Sequence, residues 1–140
     1  ESIKTIPVEV GDSIEHYRFR EGLAKALELA RAGNLFLAET EPWILIKSDE
    51  KKVQSIIYIA LQITANLSIV LEPFLPNTCK KLRALLGIAN LSWADAGKTD
   101  LLEPGRRLNE PELLFEKIED ETIETQFNKL HNTAKEHTVT

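Results

Sequence analysis

Few residues in this sequence have the types and spacings that catalysis needs. His16, His131 and His137 lie far from the single cysteine, Cys79, and none forms the Glu-x-x-His arrangement of carboxylate-bridged metal bundles. Neither common spacing of a glycine-rich phosphate loop is present. No local motif supports a Ser-His-Asp or Cys-His catalytic set. The residues therefore predict no catalytic site and no metal site, and they favour a binding or interaction module.

The most informative stretch runs from Ala38 to Lys47, where Trp43 directly follows Pro42. Pro42 fixes its own φ and pushes Glu41 out of the helical region, so an incoming helix should end here. Trp43 then lies on a short, stiff corner. A ring held in this way suits stacking on the base of a ligand. It equally suits filling a gap between helices, which is the commoner role of a lone tryptophan. The residues alone leave both roles open.

A long helix is predicted between Phe19 and this corner. Its apolar stripe follows spacings of three and four and comprises Phe19, Leu23, Ala26, Leu27, Ala30 and Leu37. Gly33 within the helix indicates close approach by a neighbour. Asn34 falls inside the apolar arc, so we expect its amide to be buried and hydrogen-bonded.

A second long helix is predicted after the corner, capped by Ser48 or Asp49, with Glu50 in its first turn. Its wide apolar face comprises Val53, Ile56, Ile57, Ala60, Ile63, Leu67, Val70 and Leu71. The remaining polar strip comprises Lys51, Gln54, Ser55, Gln62 and Asn66. A helix this apolar belongs at the centre of a bundle. Gln62 and Asn66 are expected at the surface or as a hydrogen-bonded interhelical pair. The alternative is that they bind a ligand.

The N-terminal segment and the third helix are delimited by proline and glycine. Pro7 and Gly11 should interrupt any long helix, so we expect a short helix or extended arm ending near His16. After the prolines at 73 and 76, Asn77 or Thr78 should cap a short helix that Gly87 ends.

The C-terminal third is predicted to be loop-rich over residues 88–113, with one turn capped by Ser92 and a type II turn at Pro104-Gly105. Trp93 in the capped turn is expected to pack on the bundle as a lid. Residues 113–118 form an apolar patch. Asp120 should cap a last helix, and the chain should fray from about residue 133.

Length and composition fit one all-α domain over residues 1–140, a bundle of about four to five helices. The net charge of −5 offers no global basic field for nucleic acid. A single cysteine favours a reducing cytoplasm, and polar residues interrupt the longest apolar run, so no membrane span is expected. The chain contains no methionine, which suggests a piece of a longer protein.

The ordered motifs resemble methionyl-tRNA synthetase, a class I aminoacyl-tRNA synthetase, in its helical anticodon-binding domain. The pieces that carry the resemblance are residues 19–23 (FREGL), 30–34 (ARAGN), 41–47 (EPWILIK), 60–67 (ALQITANL), 71–76 (LEPFLP), 92–93 (SW) and 114–119 (LFEKIE). Any one piece is weak, because other class I synthetases share the bundle and a similar corner. Their order over roughly residues 12 to 132 is specific.

The resemblance implies a cytoplasmic ligase that joins methionine to its tRNA with ATP and magnesium in a separate catalytic domain. The signature motifs of that domain are missing here, so this chain is expected to hold no cofactor and to catalyse nothing by itself. Trp43, preceded by Pro42, matches the tryptophan that stacks beside the wobble cytosine. Lys47, Asn34 and Arg31 are further expected contacts to the anticodon loop of tRNA(Met).

The expected partners are therefore that loop and the parent protein's own catalytic domain; whether the parent forms a homodimer is left open. Two alternatives remain. One is a non-catalytic interaction domain that docks through the patch at residues 113–118. The other is the anticodon-binding domain of a synthetase for leucine, isoleucine or cysteine.

Overall fold

The structure is a computed structural model that describes the backbone of residues 1–136 and the side chains of residues 1–132. Within these residues the protein is all-α and contains no strand, which confirms the predicted fold class. The helices are α1 (Ser2–Glu15), α2 (Phe19–Thr40), α3 (Pro42–Leu45), α4 (Glu50–Val70), α5 (Pro76–Leu85) and α6 (Asp120–Glu136). Fraying is predicted from about residue 133. The side chains from residue 133 and the backbone from residue 137 lie outside the described residues, so this prediction stays a prediction.

Helix α1 is continuous, so the prediction that Pro7 and Gly11 interrupt it is wrong. It does end near His16, its C-cap residue. A proline inside a helix costs about 3 kcal/mol through its missing N–H and its ring. Ile6, Pro7 and Val10 are all buried, and this packing against α2 and α4 offsets the cost.

The buried residues of helix α2 are Gly22, Ala26 and Leu29, so the predicted apolar stripe is confirmed at Ala26 and is wrong in part. Phe19 and Leu27, both predicted to face the core, are 54% and 37% exposed. Two of the three buried residues, Gly22 and Ala26, are small, which allows a neighbouring helix to approach closely. The approach predicted at Gly33 is confirmed, since a Cβ built there would lie 3.2 Å from Cγ2 of Ile63.

Helix α4 lies at the centre of the bundle, as predicted, and its cap is Asp49, whose carboxylate accepts from the Lys52 N–H at 3.0 Å. One core cluster joins α1, α2 and α4 and comprises Ile6, Val10, Ala26, Leu29, Ile63 and Val70. A second joins Ala65 of α4 to Leu86 and Leu102. By length and composition alone α4 could cross a membrane, but half of its apolar window is buried inside the bundle, as in a core helix.

The polar strip predicted on α4 is wrong at Gln62 and Asn66, which are 2% and 0% exposed. Gln62 Nε2 donates to the Leu102 carbonyl at 2.8 Å, and its Oε1 accepts from the N–H groups of Leu101 and Leu102 at 2.8 and 3.2 Å. Asn66 Nδ2 donates to the Lys98 carbonyl at 2.8 Å, while its Oδ1 accepts from the Gly97 N–H at 2.7 Å. The two amides bind the backbone of the loop after α5, not a ligand or a facing helix.

Helix α5 begins two or three residues earlier than the predicted cap at Asn77 or Thr78 implies, because Pro76 occupies its first turn and Leu75 is its N-cap residue. Its predicted end is confirmed: Gly87 has φ +65°, its N–H donates to the Ala84 carbonyl, and the Ile88 N–H donates to the Arg83 carbonyl. These are the two bonds of a Schellman motif.

The segment between α5 and α6 is irregular, as predicted, except for the capped turn at Trp93–Asp95. The Ser92 N–H and hydroxyl both donate to the Asp95 carboxylate at 2.9 Å. The Trp93 ring lies over α1, where a Cβ on Gly11 would be 3.5 Å from its Cζ2, so the lid interpretation is confirmed. Gly105 has φ +77°, and the Arg106 N–H donates to the Glu103 carbonyl, as a type II turn requires.

Candidate nucleic-acid interface

The corner between α2 and α3 consists of one residue, Glu41, with φ 41° and ψ 56°. The Glu41 N–H donates to the Leu37 carbonyl at 3.0 Å and so completes α2. Its carbonyl accepts from the N–H groups of Ile44 and Leu45 at 2.9 and 3.1 Å and so begins α3. The helix therefore stops where the sequence predicts, and the chain turns without a loop.

Pro42 and Trp43 differ in exposure at this corner. Pro42 is buried at the first position of α3, whereas the Trp43 side chain is 58% exposed. Of the two roles that the sequence left open, gap filling needs an enclosed ring, and this ring is open to solvent. The exposure is a requirement for base stacking. The binding role itself stays a prediction.

Three further exposed side chains surround Trp43 on this turn, and we call the set Trp43, Ile44, Ile46 and Lys47 the corner patch. Ile44 is 58% and Ile46 49% exposed, and Lys47 is also exposed. Ile46 and Lys47 lie three and four residues after Trp43, which places them near it on a helical turn. Sequence reasoning missed both isoleucines, although their spacing from Trp43 within one turn was readable.

Arg31 and Asn34 lie on α2 and not in the corner. Both are exposed and three residues apart, so they occupy one strip of the helix surface. The expectation of a buried Asn34 amide is wrong, because the buried stripe of α2 runs through Ala26 and Leu29. From Asn34 to Thr40, the last residue of α2, the axial distance is about 9 Å at 1.5 Å per residue. The structure thus groups Pro42, Trp43 and Lys47 and places the other two predicted contacts further along α2.

Local contacts shift the pKa values of four groups in the described chain, Lys25, Cys79, Asp95 and Lys98. Hydrogen bonding to Glu9 chiefly raises the pKa of Lys25, and burial raises the pKa of the Cys79 thiol. The Lys98 ammonium, followed by the Ser92 N–H and hydroxyl, lowers the pKa of Asp95 to about 2. Hydrogen bonding to Asp95 raises the pKa of Lys98.

The corner patch offers stacking surface and one cation, Lys47. No group of three or more potential metal-ligating side chains occurs among the described residues. An exposed aromatic ring on a turn of a helical bundle is suited to binding a flat or apolar group.

The chain belongs to the family described as the anticodon binding domain of methionyl tRNA ligase, whose model matches residues 3–135. It is 50% identical over 133 residues to the methionine–tRNA ligase of Cytophaga hutchinsonii, which covers 95% of this chain and 19% of that protein. The ligase of Bacteroides fragilis is 48% identical over 130 residues, covering 93% of this chain and 19% of that protein. That of Parabacteroides distasonis is 52% identical over 122 residues, covering 87% and 18%. The chain thus spans about a fifth of the length of these curated relatives.

Proposed function

We propose that this chain recognises the anticodon loop of methionine tRNA, and that Trp43 stacks on an unpaired base of that loop. The observation that carries the proposal is the 58% exposure of the indole on the proline-led corner. Family membership over residues 3–135 supports this function for the module as a whole. RNA-binding modules commonly recognise single-stranded loops by stacking unpaired bases on aromatic side chains.

Each residue of the corner has a distinct role in this proposal. Pro42, buried against the bundle, anchors the turn, and the Trp43 ring stacks for about 1–3 kcal/mol per base. Lys47 neutralises a nearby phosphate, a contribution that weakens with added salt. Stacking tolerates many bases, so Asn34 and Arg31 supply hydrogen bonds to base edges as the loop extends along α2.

We further propose that the module acts within a methionine–tRNA ligase. The catalytic domain of that protein uses ATP and magnesium and is the module's second partner, in the cytoplasm. Supporting this is the coverage of about 19% of each of two relatives, which leaves ample length for such a domain. On this proposal the chain contributes selection of the tRNA and not the chemistry.

The test of the anticodon site compares Trp43→Ala with wild type in binding to a synthetic anticodon stem-loop of methionine tRNA. Loss of one stacked base should raise the Kd about 5- to 150-fold, the equivalent of 1–3 kcal/mol. Trp43→Phe should lose less affinity for the stem-loop, because phenylalanine keeps an aromatic ring. Trp93→Ala is the matched control, since it removes the other tryptophan without touching the corner. An unchanged Kd for a folded Trp43→Ala protein would remove Trp43 from the site.

A second function, docking on another protein domain, is favoured by the apolar patch at residues 113–118. Leu113, Phe115 and Ile118 are 80%, 64% and 69% exposed. Isolated exposed apolar residues are ordinary, but clustered ones often mark an interface. Concentration-dependent association that Phe115→Ser abolishes, with RNA binding unchanged, is the expected sign. A chain that stays monomeric at high concentration would argue against this surface.

A further inference from the structure

The backbone of Glu41 is strained. Its φ of 41° and ψ of 56° lie in the left-handed region, which the Cβ of any residue other than glycine disfavours. Its position before Pro42 adds a second restriction, because a residue in that place normally adopts an extended conformation. Strained residues of this kind persist only where surrounding structure holds them, and they cluster at functional sites.

The neighbours of Glu41 hold it on both sides. Its N–H is committed to the Leu37 carbonyl of α2, and its own carbonyl accepts from Ile44 and Leu45 of α3. Pro42, the next residue, is buried in the bundle. The Glu41 side chain is exposed. The residue therefore acts through its backbone, and its conformation sets the direction in which α3 leaves α2.

We propose that Glu41 is a positioning residue of the anticodon site, which aims the Trp43 ring into solvent through its left-handed backbone. This proposal rests on the proposed function of Trp43. Trp43 follows Glu41 by only two residues, and the Pro42 between them has a fixed φ. Little freedom therefore remains between the strained residue and the ring.

The test uses three variants that all remove the carboxylate: Glu41→Gly, Glu41→Ala and Glu41→Val. Glycine adopts the left-handed conformation without strain, alanine retains the strain, and β-branched valine tolerates it least. A Trp93→Phe background leaves Trp43 as the only tryptophan, so its emission and acrylamide quenching report the ring directly. Tm and the Kd for the anticodon stem-loop complete the readouts.

Glu41→Gly should raise Tm by roughly 2–5 °C relative to Glu41→Ala, with Trp43 emission unchanged and the Kd within about twofold. Glu41→Val should change the emission and quenching of Trp43 and raise the Kd at least about fivefold, while the helical circular dichroism persists. If the valine variant does not fold, Glu41→Asn replaces it. Asparagine tolerates the left-handed region, so this variant should show the Trp43 quenching of the glycine variant.

The proposal is overturned if Trp43 emission and quenching are the same in the valine and alanine variants, or differ between the asparagine and glycine variants. It is also overturned if glycine gives no gain in Tm over alanine. These readouts do not involve RNA. Failure of the positioning role is therefore distinguishable from failure of the anticodon site, which Trp43→Ala decides separately.

Discussion

Replacing Gln62 by leucine should cost this protein several kcal/mol of stability, although leucine is similar in size and more hydrophobic. Gln62 is 2% exposed and makes three hydrogen bonds to the backbone of Leu101 and Leu102. The variant leaves the N–H groups of both residues without the hydrogen-bond acceptor that Gln62 Oε1 provides. The Leu102 carbonyl keeps one partner, because the Tyr58 hydroxyl donates to it at 2.9 Å. Each stranded buried group costs about 1–3 kcal/mol, so two give a gross loss of roughly 2–6 kcal/mol.

Two effects reduce this loss. The added apolar surface of leucine contributes about 1 kcal/mol in the opposite direction. The Leu101 residue is only half-buried, so water can reach part of its backbone. We therefore expect a net loss of about 2–4 kcal/mol in the free energy of unfolding, measured by urea denaturation with the m-value checked for two-state behaviour.

Amide hydrogen exchange provides the second measurement, since the N–H groups of Leu101 and Leu102 should lose protection before those of α2. The matched control is Gln54→Leu on the exposed face of the same helix, which should change stability by no more than about 0.5 kcal/mol. A loss below about 1 kcal/mol for Gln62→Leu, with Leu101 exchange unchanged, would refute the reasoning.

Two other predictions concern packing and pH. Gly33→Ala gains about 1 kcal/mol of helix propensity but places a Cβ 3.2 Å from Ile63 Cγ2, so urea denaturation should show a net loss of stability of about 1 kcal/mol. A stabilised variant would contradict this prediction. Adding Ile63→Leu, which removes that methyl group, should recover part of the lost stability. Because Lys98 and Ser92 lower the pKa of Asp95 to about 2, against roughly 3.9 in an unfolded chain, its stabilising contribution should be present above about pH 4 and lost as pH falls through 2. An NMR titration of the Asp95 carboxyl should show its midpoint near 2, rising in Lys98→Gln, and a wild-type midpoint near 4 would contradict the assignment.

Sequence reasoning predicted three helix boundaries correctly, because each depends on residues next to one another. Pro42 excludes Glu41 from the helix, Asp49 caps α4 with its own carboxylate, and Gly87 takes the left-handed conformation that ends α5. Each is a property of two to four consecutive residues, whatever lies across the bundle. The corner that carries the candidate site was predictable for the same reason.

Predictions about which faces are buried were less successful. Leu29 is buried where Phe19 is exposed, because Leu29 packs in the cluster that α2 forms with α1 and α4. Gln62 and Asn66 read as surface polar residues. They are buried because a loop more than 30 residues away supplies backbone partners for both amides, and Asn66 also donates to the Gln62 carbonyl within α4.

The sequence by itself determined an all-α chain, the ends of α2 and α5, the cap of α4 and, through the order of its motifs, its family. Only the tertiary structure decided that Pro7 lies within a helix, that Asn34 faces solvent, and that the Trp43 ring is open rather than enclosed. Helix ends follow from local backbone sterics and short-range hydrogen bonds. Exposure depends on which distant segments cover a side chain, and no local pattern specifies those segments.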